Sequence, residues 1–90
     1  MPRKEKVTKI IDGDTFKTAS RKNPVRLANV DAPEKGKPGS TKATEALSKM
    51  IKGEEVRIDT VRRDKYGRAV ANVYKGRESV NKKMQKKLKQ

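Results

Sequence analysis

Apolar and polar residues alternate through the first part of the chain, change to a helical rhythm in the middle, and then alternate again. Lys6 to Ile11 and Thr15 to Ala19 read as two strands around the turn Asp12-Gly13, because Asp-Gly between β-branched apolar residues favours a tight hairpin. Ser20 to Pro24 is a polar, basic loop, and Val25 to Val30 is a third strand ended by Ala32-Pro33. Gly36, Pro38 and Gly39 mark a mobile loop from Lys35 to Ser40. The rhythm then changes: Ala43, Ala46, Leu47, Met50 and Ile51 make one apolar helical stripe. Ser40 or Thr41 is expected to cap this helix and Gly53 to close it. Glu55 to Arg62 alternates again, with Val56, Ile58 and Thr60 against Arg57 and Asp59. Asp64 to Gly67 is a turn, Arg68 to Tyr74 a fifth strand, and Lys75-Gly76 a second turn. Glu78 to Gln90 reads as a basic helix with a thin stripe of Val80, Met84 and Leu88. This order gives a mainly β member of the α+β class. Strands one and three alternate too poorly for periodicity to say more. There is no internal repeat.

Length and charge narrow the possibilities. The 90 residues form one domain, 1–90, with a small core. Lys and Arg number 25 against 11 Asp and Glu, a formal charge of +14. Such an excess attracts nucleic acid regardless of sequence, by releasing counterions from phosphates. An anionic membrane is the competing partner, but no long basic amphipathic helix with a large aromatic or leucine face is present to bind one. A charge serving only solubility is the plainer alternative. Met1 to Lys9 is polar and lacks an apolar signal region, and no run reaches transmembrane length, so the expected location is the cytoplasm, or outside the cell if a leader has been removed.

Two missing residue types restrict the chemistry. Without Cys there is no disulfide, thiol nucleophile or Cys-bound zinc, and without His there is no imidazole base or His-bound metal. Acid–base work falls to carboxylates, Lys or Tyr, and any metal is held by oxygen: Ca²⁺, Mg²⁺ or Mn²⁺.

Three segments stand out. Asp12-Gly13-Asp14-Thr15 is an ordinary turn when isolated, and it is not an EF-hand, because Phe16 occupies the third acidic position. Val25-Arg26-Leu27-Ala28-Asn29-Val30-Asp31-Ala32-Pro33-Glu34 carries an arginine on a strand of small apolar residues, then two acids around a proline. Asp64-Lys65-Tyr66-Gly67-Arg68 is a charged turn feeding a strand. Each has a bland reading: a common turn, a solvated strand arginine, a charged loop.

Together, in order, spacing and residue type, these segments resemble the staphylococcal nuclease (thermonuclease) family, from about Val7 to about Met84. The resemblance implies a five-stranded OB-fold barrel with a helix between strands three and four and a short C-terminal helix. It implies Ca²⁺ held by Asp14, Asp31 and the Ala32 carbonyl, with Asp12 and Thr15 in support. Glu34 would activate water, and Arg26 and Arg68 would stabilise charge on the phosphate. Lys65 and Tyr66 would contact a terminal phosphate and nucleotide. The implied activity is a Ca²⁺-dependent phosphodiesterase on DNA and RNA, preferring single-stranded or frayed substrate, leaving 3′-phosphates and acting as a monomer. The alternative is a catalytically silent nucleic-acid-binding OB-fold module. The sequence departs from the family in places. Ala32 stands where Thr is usual, and the loop after Glu34 is shorter. Gln85 and Lys86-Lys87 break the usual helix pattern, and the family's C-terminal helix and second substrate tyrosine are absent from this shortened chain.

Overall fold

The computed structural model describes residues 4–34 and 36–88. The tail of the expected last helix, at Lys89 and Gln90, and Lys35 of the expected mobile loop lie outside the described residues. The elements run β1 (Lys4–Asp12), β2 (Thr15–Thr18), β3 (Val25–Leu27), α1 (Ser40–Ile51), β4 (Glu55–Arg63), β5 (Ala69–Lys75), β6 (Glu78–Ser79) and α2 (Val80–Leu88).

The strands form one sheet in the order β3-β2-β1-β4-β5-β6. It closes on itself because β3 also pairs with β5, in parallel, through Val25↔Ala69, Arg26↔Val70 and Leu27↔Ala71. Five strands therefore make a ring with α1 inserted between β3 and β4, an α+β, OB-like arrangement. Inside it lie Val7, Phe16, Val25, Leu27, Val56, Ile58 and Val73, all buried. Leu47 and Ile51 from α1 and Val80 and Met84 from α2 complete the core. Fully burying side chains of this size stabilises by about 1.5–3 kcal/mol each.

Several sequence expectations need correction. The hairpin turn is Gly13-Asp14, with Asp12 opposite Thr15, because a register irregularity between Ile10 and Asp12 lengthens β1. The strand β3 stops at Leu27, since Asn29 turns the chain with φ 60. Neither Ser40 nor Thr41 caps α1: Ser40 is already helical, and Gly39, at φ 85, takes the cap position with no side-chain bond. The expected closure at Gly53 holds, at φ 77. Glu78 and Ser79 leave the expected helix to pair with Tyr74 and Lys75 as β6, so α2 begins at Val80. No helix among the described residues is long and apolar enough to cross a membrane.

Candidate active site

The hairpin turn is where the three segments begin to converge. A methyl on Gly13 would sit 2.5 Å from Ala43 Cβ and 2.9 Å from Ala32 Cβ. Only a residue without Cβ lets α1 and the Ala32 turn approach the hairpin this closely. Asp14, the next residue, is 7% exposed. Its Oδ1 accepts the Thr15 hydroxyl at 2.9 Å, and its Oδ2 accepts the Ala32 N–H at 3.2 Å. Its carbonyl accepts Leu27 N–H at 2.8 Å, tying the turn to β3. Thr15 is thus buried in support of Asp14, while Asp12 ends β1 half-buried.

Arg26 sits opposite Thr15 in the β2–β3 pairing. Its Nη2 lies 3.4 Å from Asp14 Oδ2 and 4.0 Å from Asp31 Oδ1. One guanidinium therefore faces two acids that come from different turns. Asp31 is fully exposed, so the pair opens to solvent. Beside it, Asp31, Ala32 and Pro33 border a groove of about 920 Å³ between α1 and α2. Glu34 is exposed, and its carbonyl accepts Lys37 N–H at 2.9 Å, which starts the turns leading to α1. Among the described residues no three acidic side chains form a metal-holding group.

The third segment is organised by one carboxylate. Asp64 Oδ1 accepts the N–H groups of Tyr66 (3.0 Å) and Arg68 (2.9 Å), and Oδ2 accepts Arg68 Nε at 2.6 Å. Gly67, at φ 81, lets the turn close, with its N–H on the Asp64 carbonyl at 3.0 Å. Burial would raise the Asp64 carboxyl, but the Arg68 and Tyr66 N–H groups and the Arg68 charge outweigh it and hold it below its ordinary 3.8. Tyr66 is 70% exposed, with Lys65 Nζ 5.2 Å and Arg68 Cζ 5.3 Å from its ring centre. Arg68 stands two residues before Val70, the β5 partner of Arg26.

Two polar residues on α2 were not singled out from the sequence. Asn81 is buried; its Oδ1 accepts Val73 N–H at 2.8 Å, and its Nδ2 donates to the Ala28 carbonyl at 2.8 Å and the Ala71 carbonyl at 3.0 Å. One helical turn on, Gln85 Nε2 donates to the Asn29 carbonyl at 2.7 Å. Together they clamp the chain leaving β3, the piece that delivers Asp31. The available signal was an Asn set between Val80 and Met84 on a helix with so thin an apolar stripe.

Oxygen donors are what this corner offers. Two carboxylates already share one cationic neighbour, and the Ala32 carbonyl belongs to the same turn. That donor set fits a hard divalent cation of the calcium type, with Arg26 as the counter-charge it would meet.

Residues 24–87 match the family described as staphylococcal nuclease homologue. The chain belongs to the staphylococcal nuclease family. Among its relatives, an uncharacterized endonuclease of Haemophilus influenzae is 37% identical over 84 residues, covering 90% of this chain and 47% of that protein. The thermonuclease of Staphylococcus hyicus is 34% identical over 92 residues, covering 90% and 54%. A micrococcal nuclease of Shigella flexneri is 36% identical over 70 residues, covering 76% and 40%. The chain spans about half the length of these staphylococcal nuclease relatives. The family match takes in Arg26, Asp31, Glu34 and Arg68 but starts after the hairpin that carries Asp14.

Proposed function

We propose that this chain is a calcium-dependent nuclease that hydrolyses phosphodiesters in DNA and RNA. The observation that carries the reading is the placement of Arg26, one nitrogen 3.4 Å from Asp14 and 4.0 Å from Asp31. A guanidinium beside two acids can hold a phosphate oxygen only when a cation relieves the acids of their negative charge.

In this reading Asp14, Asp31 and the Ala32 carbonyl would hold Ca²⁺, which would supply positive charge to offset that of the phosphate. Thr15 and the Ala32 N–H keep Asp14 oriented. Glu34, at the exposed lip, accepts a proton from the attacking water. The new bond joins the water oxygen to phosphorus, and the bond to the 5′-oxygen breaks. That oxygen takes a proton from solvent, so the products are a 3′-phosphate and a free 5′-hydroxyl. Arg26 and Arg68 hold the equatorial oxygens as charge builds on them. The fork of Arg suits this better than the point charge of Lys. Lys65 and Tyr66, exposed on their turn, meet the neighbouring phosphate and base. Single-stranded or frayed segments suit a site whose one open aromatic stands on a turn.

The test is incubation with single-stranded DNA in millimolar Ca²⁺ or in EGTA. Cleavage with Ca²⁺ and its loss in EGTA are expected, with little activity in Mg²⁺ alone, because Mg²⁺ demands stricter octahedral geometry. Full activity in EGTA removes the metal from the reading. One observation favours the alternative, a nucleic-acid-binding module without turnover: among the described residues no three acidic side chains form a metal-holding group. Binding of the same DNA with no cleavage under any metal decides for it.

A further inference from the structure

The chain has two tyrosines, and the reading above uses only Tyr66. Tyr74 lies on the far part of β5, in register with Arg57 of β4, and Arg57 is in register with Lys4 of β1. The buried neighbours Val56, Ile58 and Val73 point inward, so Arg57 and Tyr74 point out of the barrel. Arg57 Cζ lies 4.9 Å from the Tyr74 ring centre. Arg57 and Lys4 are exposed, and Tyr74 is half-buried.

The Lys4–Arg57 pairing is unfavourable as it stands. Like charges directly opposite on a ladder destabilise it. The next pair on the same face is ordinary, with Lys6 opposite Glu55. Among the described residues neither Lys4 nor Arg57 takes part in an ion pair. Two facing cations, one of them a guanidinium over an aromatic ring, make a place for an anion attached to a flat group. Along β5 the row lies four residues from Val70, which is flanked by Arg26 on β3 and Arg62 on β4. That is about 13 Å of strand at about 3.3 Å per residue. The row thus lies on the same strand as the partner of Arg26, beyond Val70, which is itself buried.

We propose that the Lys4–Arg57–Tyr74 row is a second contact site for single-stranded nucleic acid. A phosphate bridges Lys4 and Arg57, and a base stacks on the guanidinium–tyrosine pair, as bases do on arginine planes and aromatic rings. The inference rests on the nucleic-acid reading of the first site, extends it to longer strands, and does not require turnover.

The chain has no Trp, so tyrosine emission reports on it directly. In a Tyr66→Phe variant Tyr74 is the only tyrosine. In EGTA, a 12-nucleotide single strand is expected to quench Tyr74 emission as binding saturates, followed separately by anisotropy of a labelled strand. A dinucleotide and inorganic polyphosphate, one too short and one without bases, are expected to leave it unchanged. Tyr74→Ala should weaken 12-mer binding about 5- to 150-fold, the range for one stacked base. Arg57→Gln, a surface change, should flatten the salt dependence by about 0.7 in log–log slope. Unchanged emission at saturation, equal quenching by polyphosphate, or an unchanged slope in Arg57→Gln overturns the inference. A protein that quenches but never cleaves keeps this site and loses the nuclease reading. A protein that cleaves without quenching does the reverse.

Discussion

Asp64 holds Arg68 by two separate groups, the guanidinium Nε at 2.6 Å and the backbone N–H at 2.9 Å. The carboxylate therefore sets both the turn and the direction of the arginine it feeds into β5. In the proposed mechanism Asp64 is a positioning residue, because it acts through Arg68. Asp64→Ala should lower kcat by about 10²-fold, the scale of a misplaced group, with a smaller change in KM. Asp64→Asn, which keeps an acceptor for the two N–H groups, should recover part of it. Single-turnover rates check this, and wild-type rates in both variants remove the role.

Glu34 and Arg68 divide the work differently. Glu34→Gln should leave DNA affinity near normal and lower the rate by about 10²–10⁴, the usual range for a positioned base. Arg68→Ala should slow the rate through lost charge stabilisation while the fold survives. Circular dichroism alongside the kinetics separates the two effects.

Asn81 is expected to matter for stability rather than chemistry. It satisfies one buried N–H and two carbonyls at the seam where β3 meets β5. Removing its amide with Asn81→Ala strands the Val73 N–H and the Ala28 carbonyl at about 1–3 kcal/mol each where water cannot reach them, while the Ala71 carbonyl keeps the Ala28 N–H at 2.8 Å. In a domain of this size each kcal/mol lowers the melting temperature by about 4–8 °C. Asn81→Asp, which keeps the acceptor for Val73 but loses both donors, should also destabilise. A thermal melt of either variant that overlays the wild type contradicts this account.

Acid should weaken the fold through two carboxylates. Burial would raise the Glu5 carboxyl, but the hydrogen bonds from Arg21, Ser20 and Thr18 and the Arg21 charge hold it below its ordinary 4.5. Asp64 is likewise held below 3.8. Both groups bind fewer protons folded than unfolded, so their contributions are complete above those ordinary values and fade as pH falls through the lower folded ones. Urea midpoints should be flat near neutrality with respect to these groups and drop below about pH 4.5. Glu5→Gln should make the drop shallower.

The sequence displayed the local features well. The α1 stripe and the Val80–Met84–Leu88 stripe are settled by neighbours within a few positions, and both are present; the first hairpin is present too, with its turn one residue later than Asp12-Gly13. What it hid depends on distant partners. Gly13 looked like a turn glycine, yet its φ is not positive; what fixes it is the approach of Ala43 and Ala32, which no local pattern encodes. The pair Glu78-Ser79 had helical neighbours and became a strand because Tyr74 and Lys75 offered a free edge. Asn81 was given no role from the sequence, although it closes a seam between two strands far apart in sequence. The candidate site was legible as residue types. Its geometry, with Arg26 between Asp14 and Asp31, depends on how three turns pack.

The parallel β3–β5 pairing also bears on when the protein becomes competent. Val25 meets Ala69 only after α1, β4 and the Asp64–Gly67 turn lie between them, one of the two long-range pairings of the ring, the other being β1 with β4. Contacts so far apart in sequence carry a loop-closure cost that the intervening structure must meet first. Arg26 arrives on one side of that seam and Arg68 on the other, and Asn81, later still in the chain, fastens it. The two arginines of the proposed mechanism are therefore brought together only when the barrel closes, so the site is a product of the complete ring and not of any one hairpin.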